Sequence, residues 1–213
     1  MTDAWQFWMN WWVNLAIALG TLGAVFVALF GSWIRSKLFA PSLVLAIDNG
    51  RGDATPVTLT APSGESRVER ARYYRLRVSN QKRWPKATQV RIQLVRVEEP
   101  GPDGELQLKW TGEVPFEWTN QQIVPLERTI GPSATCDFFS VVKDKWLQLH
   151  PVIMPANLGD LARRRDRADM TVTVRATSSE VDSKFYRYRI SWDGQWTDGE
   201  AEMSQHLVLK ELP

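Results

Sequence analysis

The residues that could do chemistry in this 213-residue chain are few, and their spacing does not assemble them. His150 and His206 are the only histidines, and neither has a His, Cys or acidic neighbour at the spacing of HExxH or CxxC, so no zinc site or catalytic triad is indicated. Both read as ordinary loop or strand-end histidines. Cys136, the sole cysteine, stands between Thr135 and Asp137 without a basic neighbour to lower its pKa, and reads as a packed thiol. One cysteine can form neither an intrachain disulfide nor a thiolate metal cage, which fits a reducing compartment. No GxSxG elbow, glycine-rich phosphate loop or lysine-containing nucleotide motif occurs. Trp192 to Glu200 carries two Asp-Gly pairs but lacks the alternating oxygen ligands and final Glu spacing of a calcium loop, so a tight turn between two packed tryptophans is the simpler reading. The expectation is a non-enzymatic protein with no catalytic residue, metal or cofactor. An enzyme whose residues converge from distant positions is the alternative.

Guanidinium groups are the more informative chemistry. The net charge is only +2, yet Arg72 to Ser79, Thr88 to Val95, Met170 to Thr177 and Lys184 to Ser191 together hold seven Arg, one Lys and no acid. Alternation points Arg75, Arg77, Arg91, Arg175, Arg187 and Arg189 away from the apolar side of their segments. Were these segments to share one sheet, its outer face would be basic and suited to a nucleotide, a nucleic acid strand, an acidic partner or an anionic leaflet. The competing reading is that each Arg covers the sheet with its stem and pairs with acids nearby. Arg163-Arg164-Arg165-Asp166-Arg167 is a separate basic cluster, read as a solvated loop or a leaflet contact.

The elements that must position these groups are strands. From Pro41 onward the apolar pattern alternates: Tyr74, Leu76 and Val78; Val90, Ile92 and Leu94; Met170, Val172, Val174 and Ala176; Tyr186, Tyr188, Ile190 and Trp192. Further strands are expected at Ser42 to Ile47, Val57 to Thr60, Glu113 to Trp118, Ala134 to Val142 and Gln205 to Leu209, with Lys145 to Ile153 a strand or a helical turn. Pro100 to Gly104 and Gly131-Pro132 are turn signals, and Asp48 to Arg70 reads as a long mobile connection. Short strands without crossover helices predict a mainly β fold, an antiparallel sandwich of immunoglobulin-like type, with a small barrel as the alternative.

Residues before Pro41 are of another kind. Val13 to Ile34 is apolar apart from Asn14, Thr21, Ser32 and small glycines, and spans roughly 33 Å as a helix, about one bilayer core. Trp5, Trp8, Trp11 and Trp12 crowd one end and Trp33 marks the other, as rings at headgroup level would. Arg35 and Lys37 follow at the C-terminal side, so the charge bias predicts an outward N-terminus and an inward domain. A cleaved signal peptide would want a basic start, a shorter core and a small-residue cleavage site. Ala16, Gly20, Ala24 and Ala28 form a small-residue stripe, read either as a surface for homo-oligomer packing or as ordinary membrane-helix composition. The expected organisation is a transmembrane anchor over 1–40 and a cytoplasmic β-sandwich over 41–213, at a bacterial inner membrane. Its expected partners are the lipid bilayer, another copy of the helix, and a protein or anionic ligand at the β domain.

Val78-Ser79-Asn80 followed by Ala87-Thr88-Gln89-Val90-Arg91-Ile92 resembles a pattern of bacterial immunoglobulin-like domains, in which one strand ends in Asn and the next opens Ala-x-x-Val-x-Val. The likeness covers about 20 residues and implies fold alone; where such domains often turn on Gly, this chain has Gln81-Lys82-Arg83-Trp84-Pro85. The layout resembles uncharacterised bacterial membrane-anchored proteins and, more distantly, membrane effectors of nucleotide-triggered antiphage systems, which carry two membrane helices. That likeness is architectural; the alternative function is a nucleotide- or anion-gated membrane effector, in which a ligand on the basic sheet changes helix packing.

Overall fold

Tyr74, Leu76 and Val78 are almost fully buried, whereas Tyr73, Arg75 and Arg77 between them keep contact with solvent, as period-two geometry requires of a strand with one side against a core. The same rule repeats along the chain in a computed structural model that describes residues 2–61, 63–82, 84–119 and 126–213, without the side chains of 2–4, 32 and 34–39. The elements in order are α1 (Thr2–Phe39), β1 (Leu43–Ile47), β2 (Asp53–Thr60), β3 (Ser66–Asn80), β4 (Ala87–Pro100), β5 (Leu106–Pro115), β6 (Glu117–Trp118) and β7 (Arg128–Ile130). There follow β8 (Ser133–Val142), β9 (Trp146–Leu149), α2 (Gly159–Ala162), β10 (Arg163–Arg164), β11 (Ala168–Thr177), β12 (Tyr186–Trp192), α3 (Glu200–His206) and β13 (Leu207–Leu212). The chain divides into two compact units, Met1–Ala40 and Pro41–Pro213.

The first unit is the single helix α1, and Trp5–Gly31 within it is long and apolar enough to cross a membrane. Trp5, Trp8, Trp12 and Trp33 project from it, and Ala16, Gly20, Ala24 and Ala28 follow one another every four residues along it. The side chains of Arg35 and Lys37 lie outside what is described.

The second unit is a β-sandwich of two packed antiparallel sheets, not a closed barrel. One sheet runs β1-β3-β8-β9-β10, with β2 also on β3 and β6 on β8; the other runs β13-β12-β11-β4-β5, with β7 on β4. A bulge in β8 sets Tyr74 opposite Phe139 but Arg75 opposite Asp137, which turns both Phe138 and Phe139 inward. Phe139 stacks on Tyr74 with ring centres 4.5 Å apart, and Phe138 meets Tyr188 of the opposite sheet edge-on at 5.7 Å. Cys136 is buried and unpaired beside them, and burial holds its pKa above the ordinary thiol value.

Several expectations are corrected. Asp48 to Arg70 is no mobile connection: β2 pairs with β3 from Asp53↔Tyr73 to Thr60↔Ser66, in a ribbon whose inner face is only half-buried and so leaves a weak apolar alternation, of which Val57 to Thr60 is the part read as a strand. Of the two readings of 145–153, the strand holds, as β9. β3, β4 and β5 run well beyond their apolar windows, and Gln205 and His206 belong to α3 rather than to the last strand.

Candidate anion-binding cleft

The six arginines expected on strand faces do not form one surface. β3 carries Arg75 and Arg77 in one sheet, while β4, β11 and β12 carry Arg91, Arg175, Arg187 and Arg189 in the other. Each is also matched by a carboxylate. Arg75 bonds Asp53 and Asp137, Arg77 pairs with Asp48, and Arg91 with Glu127. Arg175 reaches Glu113 at 2.6 Å and Asp182 at 3.8 Å, Arg187 reaches Glu98 at 3.6 Å, and Arg189 forks onto Asp169 at 2.8 and 2.9 Å. Thr171 and Thr173, paired across strands with Arg189 and Arg187, are 1% and 8% exposed although they stand on the outer face. The arginine stems cover them, so these side chains serve the sheet. Two of these acids sit where strands outrun their apolar windows: Glu98 near the end of β4 and Asp169 at the start of β11.

The second basic cluster is built differently. β9 lies next to the edge of the first sheet, and β10 forms that edge beside it with Arg163 opposite Gln148 and Arg164 opposite Leu147. Between them Leu158 and Ala162 are fully buried, which seats α2 against the core, and Trp110 Nε1 donates to Asn157 Oδ1 at 3.2 Å to hold the preceding turn. The result is an open cleft of about 940 Å³ lined by Gln148, Pro151, Val152, Met154, Asp160 and the whole run Arg163 to Arg167.

Arg163 is held in place: its guanidinium lies 4.8 Å from the centre of the Trp146 ring, and its Nε and one terminal nitrogen donate to Gln148 Oε1 at 3.1 and 2.8 Å. Neither partner neutralises it. Arg164 is spent on Glu99. The side chains of Arg165 and Arg167 make no ion pair or hydrogen bond among the described residues. Four guanidiniums thus face the two lining carboxylates, Asp160 and Asp166, with Glu99 engaging only Arg164. Concave sites with uncompensated guanidinium groups concentrate positive potential, and the fork geometry of Arg matches phosphate or carboxylate oxygens.

The turn Arg165–Arg167 is fixed from the other sheet. Gly194 has φ +94°, and a Cβ there would stand 1.7 Å from the Asp166 carbonyl oxygen, so only glycine lets the β12–α3 turn approach so closely. Asp193 in that turn accepts from Gln195 N at 2.9 Å and bonds His206 Nδ1 at 2.8 Å, while Trp192 Nε1 donates to Gln195 O at 2.8 Å. The Asp-Gly run is a structural turn that braces the arginines, and no group of three or more potential metal ligands exists among the described residues.

A polar strip adjoins the cleft on the same sheet face. His150 Nε2 bonds Ser140 Oγ at 2.8 Å, and its ring stacks on Tyr73 with centres 5.3 Å apart. Burial lowers the His150 pKa; Asp137 opposes this and Arg163 adds to it. Ser140 is only 2% exposed, and Asp137 Oδ1 is taken by Arg75 and Thr119 rather than by the imidazole. The 2.8 Å separation is that of a nucleophile and its base, but the hydroxyl is closed off from solvent and no acid bonds the imidazole among the described residues. Sequence spacing gave no sign of it, since Ser140 and His150 meet only through the β8–β9 hairpin. No family model matches the chain, and no curated protein matches it either.

Proposed function

We propose that this chain is a membrane-anchored, non-enzymatic recognition module whose Arg163–Arg167 cleft takes an anionic ligand of the phosphate class. The observation that carries the reading is the contrast in charge matching. Every arginine on the strand faces named above has a carboxylate partner, whereas Arg163, Arg165 and Arg167 have none among the described residues and open into one cleft. A guanidinium already matched gains little from an added anion; an unmatched one in a concavity gains more.

The helix α1 supplies the anchor in this reading, crossing a bacterial inner membrane with its N-terminus outside and the β unit in the cytoplasm. Arg35 and Lys37 following an N-terminal flank without Lys or Arg support that orientation. Protease added to sealed, right-side-out vesicles should leave the fragment from Pro41 onward intact; its digestion would reverse the topology.

The ligand reading is tested with the full chain in lipid nanodiscs, titrated with pyrophosphate and followed by thermal unfolding. Binding to the folded state raises the midpoint as ligand exceeds its dissociation constant. The Arg165→Ala/Arg167→Ala variant should lose that shift, and an equal shift in variant and parent would refute the assignment.

A further inference from the structure

Asn80, at the end of β3, ties the first residues of the β unit to the loop that follows it. Its Oδ1 accepts from Ser42 N at 3.0 Å and Lys82 N at 3.2 Å, its Nδ2 donates to Pro85 O at 2.7 Å, and Gln81 N donates to Ser42 O at 2.9 Å. Ser42 follows Phe39, the last residue of α1, by three positions, a contour of at most about 11 Å. The loop reads Gln81-Lys82-Arg83-Trp84-Pro85-Lys86, with three cations, one tryptophan and no acid. Trp84 is 71% exposed, and Lys86 is exposed beside it.

The β11–β12 loop lies at the same end, held by Ser179 N donating to Thr88 O at 3.2 Å, and it adds Lys184 and the 57% exposed Phe185. Its acids are engaged: the Glu180 carboxylate accepts from the Thr88 N–H and from the Thr88, Ser179 and Ser178 hydroxyls, and Asp182 lies 3.8 Å from Arg175. Exposed aromatic rings among cations, no more than a short contour from an apolar helix, match the headgroup layer of an anionic leaflet in polarity and sign.

We propose that the β3–β4 loop is a foot that rests on the anionic leaflet from which α1 emerges, with Trp84 at headgroup level and Lys82 and Lys86 against lipid phosphates. The proposal rests on α1 crossing a bilayer. It also assigns the two ends of the sandwich different tasks. Arg72 lies eight residues before Asn80 on β3, about 27 Å along the strand, and it marks the end that carries the β12–α3 turn and Arg165–Arg167. With the foot on the leaflet, the cleft end faces water.

The test uses the full chain in nanodiscs of phosphatidylcholine, alone or mixed with phosphatidylglycerol. A fluorophore is attached at Gln81→Cys, or at Glu200→Cys on the opposite end as control; the native Cys136 is buried and does not compete. Lipids spin-labelled at the headgroup should quench the probe at 81 several-fold more strongly in the anionic discs, leave the probe at 200 unquenched, and lose the effect with Lys82→Glu/Lys86→Glu. Absence of quenching at 81, equal quenching at both sites, or quenching indifferent to lipid charge would overturn the foot while α1 remains inserted. Failure of the chain to enter discs would instead overturn the anchor, and the foot with it.

Discussion

Gly194 and the Asp166 carbonyl are in such close apposition that a methyl group on Gly194 would stand 1.7 Å from the oxygen. Through this contact the β12–α3 turn of one sheet fixes the arginine turn that leaves the other. The φ of +94° adds strain for any side chain, so Gly194→Ala should destabilise the fold by about 2 kcal/mol in denaturant unfolding and weaken pyrophosphate binding at once. A variant that unfolds like the parent would show that the turn yields cheaply.

Arg72 is 1% exposed and has no carboxylate partner among the described residues; it donates to the carbonyls of Arg51, Gly52 and Asp198 at 3.2, 3.3 and 3.0 Å. It thus closes the end of the sandwich by stitching the β1–β2 turn to the β12–α3 loop. Arg72→Ala leaves those three carbonyls without their donor and should cost about 3 kcal/mol in chemical unfolding. Arg72→Lys should recover only part, because a compact ammonium cannot span three acceptors as a planar fork does.

Charge removal should separate the two classes of arginine. Arg187→Ala/Arg189→Ala removes exposed, paired groups, so it should change stability by about 1 kcal/mol or less and leave pyrophosphate binding intact. Arg163→Ala, which strips an uncompensated group from the cleft, should weaken binding about tenfold in calorimetry, and high salt should reduce the difference.

His150 gives the stability a pH dependence of known sign. Burial holds its pKa below the ordinary value of 6.5, so as pH falls through that value the unfolded chain takes up a proton that the folded chain refuses. The His150 contribution is therefore complete above about pH 6.5 and declines below it, toward the depressed folded pKa. Thermal midpoints of the parent should fall more steeply on acidification than those of His150→Gln. Parallel curves would show that the imidazole is not held neutral.

Strand-face alternation made the sandwich readable from Tyr74, Leu76, Val78, Val172, Val174 and Tyr188, because each buried face leaves a period of two in the sequence. The β2–β3 ribbon left a fainter trace: Val57 to Thr60 reads as a strand and lies in β2, but no residue of β2 is fully buried, so the rest of the pairing went unread, and β10 is only two residues long. The cleft was half visible: Arg163 to Arg167 stood out as a run, but their lack of partners depends on which acids the sheet edges bring near. The same holds for the strand arginines, whose carboxylates arrive from neighbouring strands and loops.

Hydrogen exchange of the full chain in nanodiscs, with and without pyrophosphate, tests the recognition cleft most directly. Protection confined to Gln148–Arg167 and the apposed turn at Gly194, and absent from the Arg165→Ala/Arg167→Ala variant, is the predicted result. Protection centred on the arginines of β11 and β12, or none anywhere, would contradict the assignment.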